Sequence, residues 1–155
     1  KAVSAAWSFV HEGAVEIALD VPEAGAPARV DTDAVRVALL NLLDNAVKYG
    51  AHEVTVALSP DRDGWRLRVS DDGPGIPADE RKKLFDRFFR GKVATLSRER
   101  GSGIGLNLVQ LVADAHRGRV TVEDREGGGT VFELWLPRGE AGDGPDRSVV
   151  QGDRP

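Results

Sequence analysis

Three polar residues interrupt the apolar run "ALLNLLDNAVKYG" at residues 38–50: Asn41, Asn45 and Lys48. Spacings of four and three stack all three on one side of an α-helix. Val35, Leu39, Leu42, Leu43 and Ala46 fall on the other side. A solvated helix side would explain the polarity, but its usual residues are Glu, Lys and Arg rather than two amides. The stripe therefore reads as a surface that faces something, with amide donors and acceptors beside one cation.

Two further places could do chemistry. The first is "DDGPGIP" at 71–77, where Asp71 closes an alternating stretch and Gly73 and Gly75 let the backbone pass close to a flat ligand. A buried carboxylate at that point can accept a hydrogen bond from an exocyclic amine, which suits adenine. Taken alone, the stretch reads first as a solvated turn. The second is "GSGIG" at 101–105, which opens an apolar helical stretch and offers free N–H groups and a positive dipole end to an anion. Taken alone, it could equally be a flexible helix start.

Familiar phosphate motifs fail here for stated reasons. A P-loop needs Gly, four residues, then Gly-Lys-Ser/Thr, whereas around Gly91 and Lys92 the first position is Asp86 and the last is Val93. In "GSGIGL" the third glycine position of a dinucleotide fingerprint is Leu106, and a charged stretch rather than a strand precedes it. "GPGIPA" at 73–78 matches that fingerprint formally, but Pro74 and Pro77 delete two N–H groups that a pyrophosphate would use.

The elements that must position these residues follow from periodicity. "AVEIALDV" (14–21) alternates and reads as a half-buried strand, and Asp31 or Thr32 can cap a helix running to about Tyr49. "EVTVALS" (53–59) and "WRLRVSD" (65–71) form a hairpin across "PDRDG". A short helix begins near Ala78, and residues 91–103 lack periodicity and read as a mobile loop. Residues 104–116 carry apolar positions at 104, 108, 111, 112 and 115, a helical stripe. "RVTVED" (119–124), a glycine turn at 127–129 and "TVFELWLP" (130–137) make a closing hairpin. The fold class is α+β: about five strands in one mixed sheet, with the helices on one face of a two-layer α/β sandwich. Residues 1–137 form the folded domain, and 138–155, rich in Gly, Asp, Pro and Arg, form a flexible tail.

Bulk properties narrow the classes. The chain has 155 residues, 41% hydrophobic and 30% charged, enough for one packed domain and unlike a disordered protein. A net charge of −4 with no basic block argues against a nucleic-acid partner. The absence of cysteine excludes disulfides and thiolate metal sites. No apolar run is long enough to cross a bilayer, and no signal peptide is evident. Methionine is absent even at position 1, as an excised piece of a longer protein would show.

Together, "NLLDNAVKYG", "DDGPGIP", "LFDRFFRG" and "RGSGIGLNLV" resemble the N, G1, F and G2 boxes of the catalytic, ATP-binding domain of bacterial two-component sensor histidine kinases. The ending "GGGTVFELWLP" is similar to that domain's final hairpin, and the resemblance spans about residues 10–137. It implies the Bergerat-type sandwich shared with gyrase, the mismatch-repair ATPases and a heat-shock chaperone.

The resemblance also implies ligands and roles. ATP and Mg2+ are the expected cofactors, with Asn45 and Asn41 as metal-side residues, Lys48 against phosphate and Tyr49 near the nucleotide. Asp71, Gly73, Gly75 and Ile76 would line the base, and Phe89 and Arg90 would close on the phosphate side. Arg100, Gly101, Ser102, Gly103, Ile104, Gly105 and Leu106 would cradle phosphates, with 91–103 as the ATP lid. Phe85, Phe88 and Phe89 would anchor the start of that lid on the core. Gyrase-like relatives carry a glutamate where Asn41 stands. An amide cannot take a proton from water, so the domain looks built for transfer rather than hydrolysis.

The expected acceptor is a histidine on separate dimerisation helices of the parent kinase, with a response regulator downstream. The parent is expected to be a cytoplasmic homodimer, with an inner-membrane anchor in a segment outside this stretch left open, and this domain alone monomeric. His11–Glu12 fits the acceptor pattern only superficially, because Gly13 and an alternating strand follow; His52 and His116 stand alone. The catalytic phosphoacceptor is therefore expected outside this stretch. Two other readings are a serine kinase of the anti-sigma type and a non-catalytic nucleotide-binding interaction module. The intact F box and long lid argue against the first, and the filled nucleotide positions against the second.

Overall fold

The computed structural model of the protein describes residues 15–24, 28–90 and 105–139. The expected lid at 91–103, His11 and the tail beyond Gly139 lie outside them. Five strands, β1 (Glu16–Asp20), β2 (Glu53–Pro60), β3 (Gly64–Asp71), β4 (Arg119–Asp124) and β5 (Thr130–Pro137), form one sheet in the order β1-β2-β3-β5-β4. Only β1 and β2 run parallel; the other neighbours are antiparallel, so the sheet is mixed. Two helices, α1 (Thr32–Lys48) and α2 (Gly105–Ala115), accompany it.

The alternation in the strands translates directly into one buried face. In register across all five strands, Leu19, Val56, Val69, Phe132 and Val122 stand side by side. The adjacent row is Ile17, Val54, Asp71 and Thr130, ending on Asp124. Phe132, Leu134, Val54 and Val69 are almost completely buried, and so are Leu42 of α1 and Val109 of α2, which close the same core. Phe85 meets Phe132 edge-on, with ring centroids 6.3 Å apart and planes at 83°, the arrangement that aromatic quadrupoles favour.

Helix α1 begins where its chemistry requires. The Asp31 carboxylate accepts from the N–H groups of Asp33 and Ala34, which satisfies two donors that the first turn leaves unpaired. Its buried residues are Ala38, Leu42 and Ala46, with Val35, Leu39 and Leu43 packed at their margin.

Two sequence expectations change. The stripe expected at 104, 108, 111, 112 and 115 is not the buried face of α2: Leu111 is 54% exposed and Ala115 is exposed, while Val109 and Ala113 are buried. Asn107, Gln110 and Asp114 mark the polar side of α2 at helical spacing, and the buried side lies opposite them, around Val109 and Ala113. Val109 and Ala113 let α2 come close to α1, and the larger Leu111 is turned outward. The helix expected near Ala78 is shorter and tighter, with turns at 78–80 leading into a single 3-10 turn at Arg81–Lys83.

Candidate functional site

The site is assembled where the end of β3, the later turns of α1 and the start of α2 meet. Asn41 and Asn45 are half-buried rather than solvated. The Asn41 amide donates to the carbonyl of Val37 at 2.8 Å, which fixes the side chain and turns its oxygen outward from its own helix. That oxygen lies against the first residue of α2: a Cβ added to Gly105 would sit 2.8 Å from Asn41 Oδ1. The asparagine stripe and the glycine box, 64 residues apart in sequence (105 − 41), therefore touch. Lys48 is held at 2.6 Å by Asp44, one turn back, in a largely exposed pair.

Asp71 is the buried carboxylate, 6% exposed. Its Oδ1 accepts from the N–H of Gly73 at 2.9 Å, and the N–H of Thr130 also bonds to it. Burial pushes the Asp71 carboxyl above the ordinary carboxylate range; these two N–H groups pull the other way without cancelling it. Neighbouring Asp72 behaves oppositely. It accepts from the N–H groups of His52 and Glu53 at 2.7 and 2.9 Å, and those bonds hold its carboxyl below the ordinary range. Two adjacent aspartates thus do different work: Asp72 ties β3 to the start of β2, and Asp71 faces the interior at the strand's end.

The glycine loop passes close beside Asp71. Gly75 has φ +77, and the space where its Cβ would stand is 3.6 Å from the carbonyl of Gly129. Gly129 itself has φ +112 and lies so close to Asp71 that a Cβ would collide with the Asp71 carbonyl at 1.9 Å. The glycine turn between β4 and β5 is therefore packed directly against the candidate base-binding strand end.

Of the other expected site residues, Tyr49, Gly73, Ile76 and Leu106 are half-buried around this junction, and Phe89 packs on the core. Arg90 is exposed. Phe88 departs from the expected anchor role: it is 62% exposed with φ +66, and the Arg87 guanidinium lies 4.8 Å from its ring. Arg100, Gly101, Ser102, Gly103 and Ile104 lie outside the described residues.

Sequence reasoning passed over three supports. Asn107 donates to the carbonyl of Phe85 at 3.0 Å and ties α2 to the segment after the 3-10 turn. An amide inside "GLNLV" is the same kind of signal as Asn41 and could have been found. His116 is not isolated: its Nδ1 bonds the Val112 carbonyl at 2.7 Å, and its Nε2 accepts the Asp31 N–H at 2.9 Å. The end of α2 is thereby pinned to the cap of α1, a contact with no sequence-local signal. Arg81 binds the Ile76 carbonyl through Nε and Nη2, at 3.3 and 3.2 Å.

Comparison with known proteins establishes the family and the fold. The family described as Histidine kinase-, DNA gyrase B-, and HSP90-like ATPase matches residues 30–140, and the chain belongs to it. Sensor kinases are among its relatives within that family. The chain is 40% identical over 116 residues to the signal transduction histidine-protein kinase AfsQ2 of Streptomyces coelicolor, covering 75% of this chain and 22% of that one. It is 33% identical over 139 residues to the sensor histidine kinase CpxA of Escherichia coli, covering 84% and 30%. This chain thus spans between a fifth and a third of these curated relatives. Among solved structures, the mycobacterial sensor histidine kinase MprB superposes with a TM-score of 0.69 at 35% identity, covering 79% of this chain and 83% of that one. The ATP-binding domain of PrrB from Mycobacterium tuberculosis gives 0.66 at 29%, covering 81% and 82%. The five-stranded mixed sheet with its two helices is that of histidine-kinase ATPase domains. Among the described residues, no helix is long and apolar enough to cross a membrane.

Proposed function

We propose that this domain binds Mg-ATP and donates the γ-phosphate to a histidine on separate dimerisation helices of its parent kinase, in two-component signalling. The observation that carries the reading is the meeting of Asn41 Oδ1 with Gly105, which joins the amide face of α1 to the glycine-opened start of α2. A helix start offers N–H groups to phosphate, and the amide oxygens beside it suit a metal held against that phosphate.

The residues fit Mg2+ in particular. Among the described residues there is no group of three His, Cys, Asp or Glu side chains that could hold a metal alone. A site of neutral amide oxygens completed by phosphate oxygens and water suits a small hard cation that keeps much of its hydration. Asn45 and Asn41 would hold it, and bound there it would neutralise charge on the phosphates. Asp71 would accept a hydrogen bond from the adenine amino group, and Gly73, Gly75 and Ile76 would flank the base. Lys48 would leave Asp44 for phosphate, with Tyr49 near the nucleotide. Phe89, Arg90 and residues Arg100 to Leu106 would close the phosphate side.

Asn41 offers no basic atom to activate water. In the transfer, an imidazole nitrogen of the acceptor histidine would bond to the γ-phosphorus as the bond from phosphorus to the ADP oxygen breaks. The partners are therefore the parent's phosphoacceptor helices in a homodimer and a response regulator on the cytoplasmic side. Titration calorimetry with a non-hydrolysable ATP analogue, with and without Mg2+, tests the reading. Heat of binding that requires Mg2+ for full affinity is expected, and no binding in either condition refutes it.

A further inference from the structure

The loop Gly73–Pro77 cannot hold itself. Pro74 and Pro77 remove two of its N–H groups, and Gly75 adds backbone freedom through its positive φ. At one end the loop is tied by the Gly73 N–H to Asp71 Oδ1 at 2.9 Å. At the other, both Nε and Nη2 of Arg81 donate to the carbonyl of Ile76 at 3.3 and 3.2 Å. The same Nη2 also meets the Asp124 carboxylate, at the end of β4. Asp124 pairs with Thr130, and Thr130 pairs with Asp71. The contacts close a ring: Asp71, Thr130, Asp124, Arg81, Ile76, Gly73 and back to Asp71.

We propose that Arg81, oriented by Asp124, is a positioning residue for base recognition. It sets how far the backbone of Gly73 to Ile76 stands from the Asp71 carboxylate, and so how well that gap fits adenine rather than guanine. The inference rests on the nucleotide reading above. A planar guanidinium with two donors on one carbonyl fixes direction as well as distance, which an ammonium on a flexible stem cannot do. Asp124 is 72% exposed, so its ion pair adds little stability by itself; its effect is to aim the arginine.

The test uses the whole chain and its variants Arg81→Ala, Arg81→Lys, Asp124→Ala and the double Arg81→Ala/Asp124→Ala. Calorimetry measures ADP and GDP affinity, and amide exchange of Gly73 is followed without nucleotide. Arg81→Ala should weaken ADP binding about threefold to tenfold, the scale of lost hydrogen bonds. GDP binding should fall less, so the ADP/GDP ratio drops. Arg81→Lys should recover only part of the loss. Asp124→Ala should act in the same direction, and the double variant should be no worse than Arg81→Ala. Exchange at Gly73, whose N–H bonds Asp71 Oδ1, should speed up while Val69 and Phe132 stay protected.

A lower melting temperature with an unchanged ADP/GDP ratio would show a merely structural arginine and overturn the role. If Arg81→Ala does not fold, Arg81→Lys and Asp124→Ala give the same readout. Wild-type protein that binds neither diphosphate overturns the nucleotide reading itself, whereas a binding-competent wild type with an indifferent Arg81→Lys and Asp124→Ala overturns only this inference.

Discussion

Replacing Asp71 by Asn should change nucleotide binding far more than stability. The wild-type carboxylate is 6% exposed, and burial raises its pKa despite bonds from the N–H groups of Gly73 and Thr130. A carboxyl whose folded pKa lies above its unfolded one favours the fold fully below the unfolded pKa. That contribution is lost as pH rises through the folded value. At neutral pH the ionised Asp71 is therefore a net burden on the fold. Asn keeps one oxygen for the Gly73 N–H and removes the charge, but gives up the second acceptor, so the two effects oppose. Stability at pH 7 should change by no more than ~1 kcal/mol. Binding behaves differently. The adenine amino group would meet either an amide N–H or an oxygen already used by Gly73, and affinity should fall by ~1–3 kcal/mol, roughly fivefold to 150-fold. Thermal melts between pH 4 and 8 and calorimetry with ADP measure both quantities on one sample. Relative to wild type, the variant should gain stability as pH rises from acid to neutral. Unchanged ADP affinity, or unfolding of the variant at pH 7, would refute the assignment of Asp71 as the base-recognising carboxylate.

Four further outcomes are expected. Asn45→Ala should remove the Mg2+ dependence of ATP-analogue affinity in calorimetry while leaving the melting temperature near wild type; an unfolded variant would make the residue structural. Gly105→Ala pushes a methyl to within 2.8 Å of Asn41 Oδ1, so the Asn41 side chain must give up its position and its bond to the Val37 carbonyl; nucleotide affinity should drop while the fold is kept, as titration and circular dichroism would show. Gly129→Ala places its Cβ 1.9 Å from the Asp71 carbonyl at φ +112, and the backbone conformation alone should cost ~1–3 kcal/mol in urea unfolding. Asp72 has a lowered pKa, so its contribution is present above its unfolded pKa and lost as pH falls through the folded one. Asp72→Asn should flatten the acid limb of stability against pH.

Much of this architecture is readable from alternation and capping alone. β4 and β5 run over the residues that their patterns indicate, and Asp31 caps α1 because a short acceptor stands before an apolar-periodic run. The failures have different causes. In α2 the stripe expected from apolar positions overlooked the polar side made by Asn107, Gln110 and Asp114; the buried face lies opposite it, at Val109 and Ala113, and Leu111 borders the polar side. The division of labour between Asp71 and Asp72 is invisible in "DDG", because it depends on the N–H groups of His52 and Glu53 twenty residues earlier. Candidate ligand residues stood out where polar types broke an apolar pattern, as at Asn41. Residues that only steady them, Arg81 and His116, look like ordinary surface residues until the chain is folded.

The strand order carries a consequence for synthesis. β5 is last in sequence, yet it lies between β3 and β4 and brings Phe132 and Leu134, two of the most buried side chains, to the centre of the sheet. Until residue 137 has left the ribosome, β3 keeps an open edge and β4 has no neighbour. The emerging chain can form the β2–β3 hairpin and α1, but it cannot close its core. Long-range pairing of this kind is slow and leaves apolar edges exposed while it waits. Ribosome-bound chains halted before β5 should therefore be protease-sensitive and in need of a holdase, and the nucleotide site should come into existence only as the final hairpin docks.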